Sequence, residues 1–262
     1  MNKNIILNDV VNGCVNKKSI ISTYKNNVSR KSIALKTIML LVVTILSTMI
    51  TFFLFNGARF VPNQLKIQEN TNIITLILYI LPIISFLLIM SSRFLPVQTT
   101  KFIATTYSIL EGIFFGTLFC FLNVVYSNVF MLISIDFLSV LCLFIIMNLA
   151  FYNNIIKVNK KFVTFIVTSM ILIFILDLII LFTGILGNGV SPLFGALVSI
   201  IAIIISTLSL AMDFQYADYI VEQNISKDYE WKVALGFQIT LIYIFIRILQ
   251  LMMYLGVFKK RE

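Results

Sequence analysis

Leu210-Ala211-Met212-Asp213-Phe214 closes a long apolar run that begins at Leu193. After a polar hinge, a second apolar run extends to Val257 and carries one arginine, Arg247. Each run has about the 20 residues that a helix needs to cross the hydrocarbon core of a bilayer. A membrane helix that ends on a carboxylate, followed by one with a cation at bilayer depth, is costly to keep. Function is therefore sought first at Asp213 and Arg247.

The same pattern extends through the rest of the chain. Of its 262 residues, 60% are hydrophobic and only 12% are charged, which is more apolar surface than a water-soluble domain of this size can hide. The expected fold is an all-α polytopic membrane protein with seven transmembrane helices, at about residues 37–55, 73–90, 102–125, 129–151, 162–182, 193–212 and 233–257. Residues 1–36 read as a basic cytoplasmic N-terminal arm, 37–257 as the seven-helix membrane domain, and 258–262 as a basic C-terminal tail. No cleavable signal peptide is visible in the polar, basic first 32 residues.

Charge gives the expected orientation. The chain has 20 Lys and Arg against 11 Asp and Glu. Most of the basic residues fall in the arm and in the loops between helices two and three, four and five, and six and seven, so the N-terminus is expected inside a multi-pass cell-membrane protein. Seven crossings then put Lys259-Lys260-Arg261 outside, against that rule. Basic clusters of this kind read as topology signals and attraction to anionic lipid, and no aromatic-studded basic domain points to nucleic acid. Histidine is absent, and Cys14, Cys120 and Cys142 lack metal-site spacing. No metal, cofactor or catalytic residue is expected, and the chain does not read as an enzyme.

Helix three carries Glu111 beside Gly112 and Gly116, a pair on one helix face that lets another backbone approach closely, either inside the monomer or between monomers. Helices four and five carry Asp136 and Asp177. At about 1.5 Å per residue, Arg247, Asp177 and Asp136 fall near one level in the outer half of a core about 30 Å thick. A lone charge there costs about 2.5–3.5 kcal/mol on insertion scales. Arg247 is therefore expected to be the counter-ion of Asp136, Asp177 or both, plugging the outer half of the bundle; otherwise each charge faces a wet crevice separately. Glu111 nearer mid-depth and Asp213 at the cytoplasmic mouth then sketch an acidic route toward a basic plug, suited to protons or cations.

Several short motifs in order resemble one family. Lys36-Thr37 opens helix one, Tyr107-Ser-Ile-Leu-Glu111-Gly112-x-x-x-Gly116 lies in helix three, and Leu210–Phe214 ends helix six. Tyr229-Glu230-Trp231 precedes an apolar helix that ends Arg247-Ile-Leu-Gln-Leu-Met. Together, over roughly residues 30 to 257, they resemble the bacterial branch of the Bax inhibitor-1/YccA-like family. The resemblance implies seven membrane helices with the last surrounded by the other six, and a pH-sensitive calcium leak. In that family an acid ending helix six shares a proton with an acid in helix seven, and an arginine ending helix two locks the pair. Asp213 takes the place of the first acid and Arg93 that of the arginine. The second acid is missing, because no carboxylate lies between Glu230 and Glu262; Gln238 and Thr240 are the polar residues near its depth. Two functions are thus expected in contest. One is a leak that carries Ca2+ or H+ through the bilayer. The other is a non-conducting protein that binds a membrane partner such as an ATP-dependent protease. The oligomeric state is left open.

Overall fold

The computed structural model describes residues 28–57, 64–92, 94–153, 155–156, 158–185, 191–223 and 225–258, with side chains at all of these except 56–57, 64–75, 181 and 184–185. The described residues form seven α-helices: α1 (Arg30–Gly57), α2 (Gln64–Ser91), α3 (Thr100–Val125), α4 (Val129–Tyr152), α5 (Lys160–Ile185), α6 (Pro192–Glu222) and α7 (Tyr229–Tyr254). A 3-10 turn, Val97–Thr99, leads into α3. Among the residues whose side chains are described, six of the helices are long and apolar enough to cross a membrane, and α2 adds the apolar stretch Leu76–Ser91, which contains Pro82. Helix is the form these sequences must take in lipid, because it satisfies every backbone group within the segment.

Helix ends follow local chemistry. Ser191 caps α6, its Oγ accepting from Phe194 N at 3.4 Å, with Pro192 in the first turn. Asn159 Oδ1 accepts from Phe162 N at 2.8 Å at the start of α5. Beyond α7, Gly256 adopts φ +66, where its lack of a Cβ is needed. Three ends differ from expectation: α2 starts at Gln64, nine residues before its expected start at Ile73. α1 starts at Arg30, so the last residues of the basic arm are helical. α6 runs to Glu222, ten residues past its expected end at Met212. Its polar extension still carries Phe214, Ala217, Ile220 and Val221 at helical spacing, and these pack in an apolar cluster with Val233, Phe237 and Leu241 of α7.

The last helix is the most enclosed: 56% of its most apolar window is buried, against 11% for α5. Its main neighbours are α1, α3, α4 and α6; α2 rests on α3, and α5 rests on α6. The expected ring of six around the last helix is therefore a tight ring of four with two outer helices. Phe115 and Phe119 of α3 meet Phe245 of α7 at 5.2 and 6.1 Å between ring centroids, and Phe214 of α6 meets Phe237 of α7 at 5.0 Å.

The Gly112–Gly116 pair lies within the chain, against α1. A Cβ on Gly112 would stand 2.5 Å from Ser47 Cβ and 2.6 Å from the Thr44 carbonyl oxygen; one on Gly116 would stand 2.6 Å from Thr51 Cβ and 2.7 Å from the Thr48 oxygen. Ser47 Oγ also donates to the Ile109 carbonyl at 3.0 Å. The small-residue face of α3 thus seats a small-residue face of α1.

Candidate functional site

Asp213 lies within α6, nine residues before its end, and not at a helix mouth; the structure corrects that expectation because α6 continues as an amphipathic helix. Its carboxylate faces α7. Thr240 Oγ1 donates to Asp213 Oδ2 at 2.7 Å and stands 3.2 Å from the Gly236 carbonyl oxygen of its own helix. One hydroxyl hydrogen therefore has two acceptors. With Asp213 ionised, Thr240 gives its hydrogen to the carboxylate. With Asp213 protonated, the acid can donate to Thr240, which then turns its hydrogen to Gly236. Gly236 sits one turn earlier on the same face; a Cβ there would be 3.7 Å from Asp213 Oδ1, ordinary contact distance. Thr240 thus occupies the place on α7 opposite the helix-six acid. Arg93, expected to lock this site, lies outside the described residues, as do residues 1–27 of the arm and the 259–262 tail.

Gln238 does not face Asp213. Two residues along a helix is a rotation of about 200°, so Gln238 and Thr240 look in nearly opposite directions. Gln238 is fully buried, and its Nε2 donates to Thr44 Oγ1 of α1 and to Ser108 Oγ of α3, both at 2.9 Å. Thr44 passes a hydrogen bond to the Leu40 carbonyl, and Ser108 stands 2.9 Å from the Ala104 carbonyl. This satisfied network ties α7 to α1 and α3.

Glu111 of α3 is buried and has Tyr107, one turn earlier, and Ser85 of α2 as its polar neighbours. Ser85 Oγ makes no well-formed hydrogen bond there. Glu111 is thus directed toward α2 while Gly112, beside it, packs on α1.

Among the acids expected near its level, Arg247 takes Asp177. Its Nη1 donates to Asp177 Oδ1 at 2.9 Å and its Nη2 to Oδ2, a bidentate fork. Nη1 also donates to Gln250 Oε1 at 3.0 Å and Nη2 to Tyr243 Oη at 2.6 Å, and the guanidinium lies 4.8 Å from the centre of the Tyr243 ring. Tyr243 and Gln250 stand four residues before and three after Arg247, a helical spacing legible in the sequence. Asp136 has no share in this pair: it is 0% exposed, and among the described residues neither of its carboxyl oxygens has a hydrogen-bond partner.

One buried cluster joins two of the family motifs, Lys36-Thr37 and Tyr229-Glu230-Trp231, which the sequence did not link to each other. Glu230, 0% exposed at the start of α7, accepts from Ser29 N at 3.1 Å, Ser32 Oγ at 2.6 Å and Lys36 Nζ at 2.6 Å. A carboxylate of the last helix thereby caps the N-terminus of the first. Lys36 Nζ lies 4.9 Å from the Trp231 ring centre and Lys101 Nζ 5.7 Å, so Trp231 is held between cations. Beside this clamp Arg30 Nε meets Asp218 Oδ1 of α6 at 2.8 Å.

Compared with known families, residues 8–256 match the model described as Bax inhibitor 1 like. Compared with individual curated proteins, the chain gives no match.

Proposed function

This chain belongs to the Bax inhibitor 1 like family, a family of membrane proteins not known as enzymes, and on that premise we propose that it is a proton- or calcium-permeable leak worked by Asp213. All seven helices cross a cell membrane, with the N-terminus in the cytoplasm, as the distribution of basic residues favours. The observation that carries the proposal is the Asp213–Thr240 contact between α6 and α7. It keeps one exchangeable carboxylate beside the central helix, with a hydroxyl able to serve both of its protonation states. Glu111 continues the acidic route, and the Arg247–Asp177 fork closes the bundle farther along α7. The two-carboxylate proton switch is absent, since Thr240 stands where a second acid would be needed. Gating by protons then rests on Asp213 alone.

A second reading, a non-conducting protein that binds a membrane-bound protease or another membrane partner, is favoured by the clamp that anchors the basic segment at the start of α1 onto α6 and α7. Proteoliposomes separate the two. Calcium and pH dyes trapped inside should report a leak that changes with external pH and falls in Asp213→Asn. Flux equal to that of empty liposomes in both dyes refutes the leak and leaves the partner-binding reading.

A further inference from the structure

Helix α1 is apolar on more than one side. Its Gly-facing side packs on α3, and another side turns toward α4 across an open space. α1 and α4 both flank α7, and near one end Phe52 and Phe130 meet edge-on at 5.1 Å between ring centroids. Below that contact the two helices part and leave a lateral cleft of about 1440 Å³, floored by Phe237, Leu241 and Phe245 of α7 and ending at Arg30 and Asp218. From Arg30 to Phe53 it follows α1 for roughly 35 Å at 1.5 Å per residue, about one bilayer core.

The chemistry of the walls selects the occupant. Thr37, Thr44, Thr48 and Ser134 line the cleft, but their hydroxyls donate to the carbonyls of Ile33, Leu40, Thr44 and Phe130 on their own helices, at 2.8–3.1 Å. These hydroxyls offer no free hydrogen to an ion or polar solute. A transmembrane helix of that length would run into the Phe52–Phe130 contact, which closes one end of the cleft. Slender hydrocarbon fits. At the mouth the Arg30 side chain is 56% exposed, with its Nε on Asp218 Oδ1, and Lys31 lies exposed next to it.

We propose that this cleft is a specific phospholipid site, in which an acyl chain lies between α1 and α4 and the phosphate of an anionic headgroup sits on Arg30. The occupant is thereby part of the wall around α7, and its binding stands whether or not the protein conducts.

The test uses the full chain in detergent micelles. Trp231 is the only tryptophan and does not line the cleft. In a Trp231→Phe background, Phe137→Trp places a reporter in the cleft, and Phe174→Trp places one on the exposed face of α5. Brominated phosphatidylglycerol should quench the cleft reporter saturably and the α5 reporter only in proportion to its mole fraction. Brominated phosphatidylcholine should need about fivefold more to reach the same quenching, the weight of one basic residue near an anionic headgroup. Arg30→Gln should abolish that preference, and Ala34→Phe, which fills the cleft near its mouth, should weaken both lipids. Quenching that tracks mole fraction alike at both reporters overturns the site, as does saturable quenching without headgroup preference, or a cleft reporter shielded from both lipids. Should the tryptophan variants fail to fold, the thermal midpoint of the wild type serves instead. It should rise more with phosphatidylglycerol than with phosphatidylcholine, and equal rises, or a difference that survives Arg30→Gln, overturn the proposal.

Discussion

The Arg247–Asp177 fork is lopsided, and the lopsidedness predicts which half is costlier to lose. The Arg247 side chain is 6% exposed, that of Asp177 32%. Asp177→Asn strands a buried guanidinium, which keeps only Tyr243 and Gln250 as partners. Breaking a buried pair by removing one partner costs about 3–5 kcal/mol, and the surviving contacts place this case at the lower end, about 3 kcal/mol. For a chain of this size each kcal/mol moves the thermal midpoint by about 2–4 °C, so Asp177→Asn should lower it by about 6–12 °C. Arg247→Gln leaves a carboxylate that, unlike a guanidinium, can lose its charge by taking up a proton, so the loss should be smaller, about 2 kcal/mol, or about 4–8 °C. The double variant Asp177→Leu with Arg247→Leu should recover most of the loss, because apolar side chains replace a buried pair at little cost. The assay is thermal unfolding in one detergent, followed by the monodisperse fraction on size exclusion. Equal losses for the two single variants, a larger loss for Arg247→Gln, or a loss for Asp136→Asn matching that of Asp177→Asn would refute the pairing and its asymmetry.

Four other outcomes are expected. Asp136→Leu removes a fully buried carboxyl with no hydrogen-bond partner among the described residues, so stability should rise by about 1–3 kcal/mol; a fall in thermal midpoint would mean that Asp136 has a partner on folding. Gly112→Leu and Gly116→Leu should each destabilise by about 1–3 kcal/mol or more, by forcing α1 off α3, with no change in oligomeric mass by light scattering; a change in mass without a change in stability would put that face between monomers. Glu230→Gln weakens the hold on Lys36, worth about 1.5–3 kcal/mol for a hydrogen bond to a charged group, and should speed tryptic cleavage after Lys31 about tenfold or more; unchanged cleavage would show that the clamp does not hold the start of α1. Thr240→Asp sets a second carboxylate against Asp213, and two like charges at that distance cannot both ionise, so flux in liposomes should gain a proton-dependent step that the wild type lacks. A pH profile parallel to the wild type would show that the two helices do not meet there in the conducting state.

Which parts of this were legible in the chain follows from the range of the forces involved. Seven apolar runs announce seven helices, because length and hydropathy are local properties, and Gly112 and Gly116 announce a close helix contact for the same reason. The extension of α6 was hidden because Asp213, Gln215, Tyr216 and Asp218 look like a loop by composition; only the period of Phe214, Ala217, Ile220 and Val221 shows a helix still burying one face. Depth along the helices brought Arg247, Asp177 and Asp136 to one level but left the choice of partner open, since that is set by which way each helix is turned. The Glu230 clamp joins residues 194 positions apart; Lys36 and Glu230 each stand in a short motif, but no local property of either motif says that the two meet.

These contacts together constrain how the protein can move. α7 is fastened at three heights: by Glu230 to the start of α1, by Gln238 and Thr240 to α1, α3 and α6, and by Arg247 to α5. The fastenings lie about two turns apart and point in different directions, so sliding or rotating α7 would break all of them at once. α4 is held differently. Ser134 and Ser139 bond to carbonyls of α4 itself, Asp136 has no hydrogen-bond partner among the described residues, and at the start of the helix Asn128 Nδ2 donates to the Val257 carbonyl beyond α7 at 3.2 Å. If conduction requires a helix to move, displacement of α4 away from a fixed α7 breaks the Asn128–Val257 contact but leaves the three fastenings of α7 in place. A bifunctional thiol cross-linker joining cysteines placed at 52 and 130 should then suppress a pH-activated leak. If that cross-link forms fully and the leak is unchanged, the opening must lie on the α6 side, at Asp213 itself.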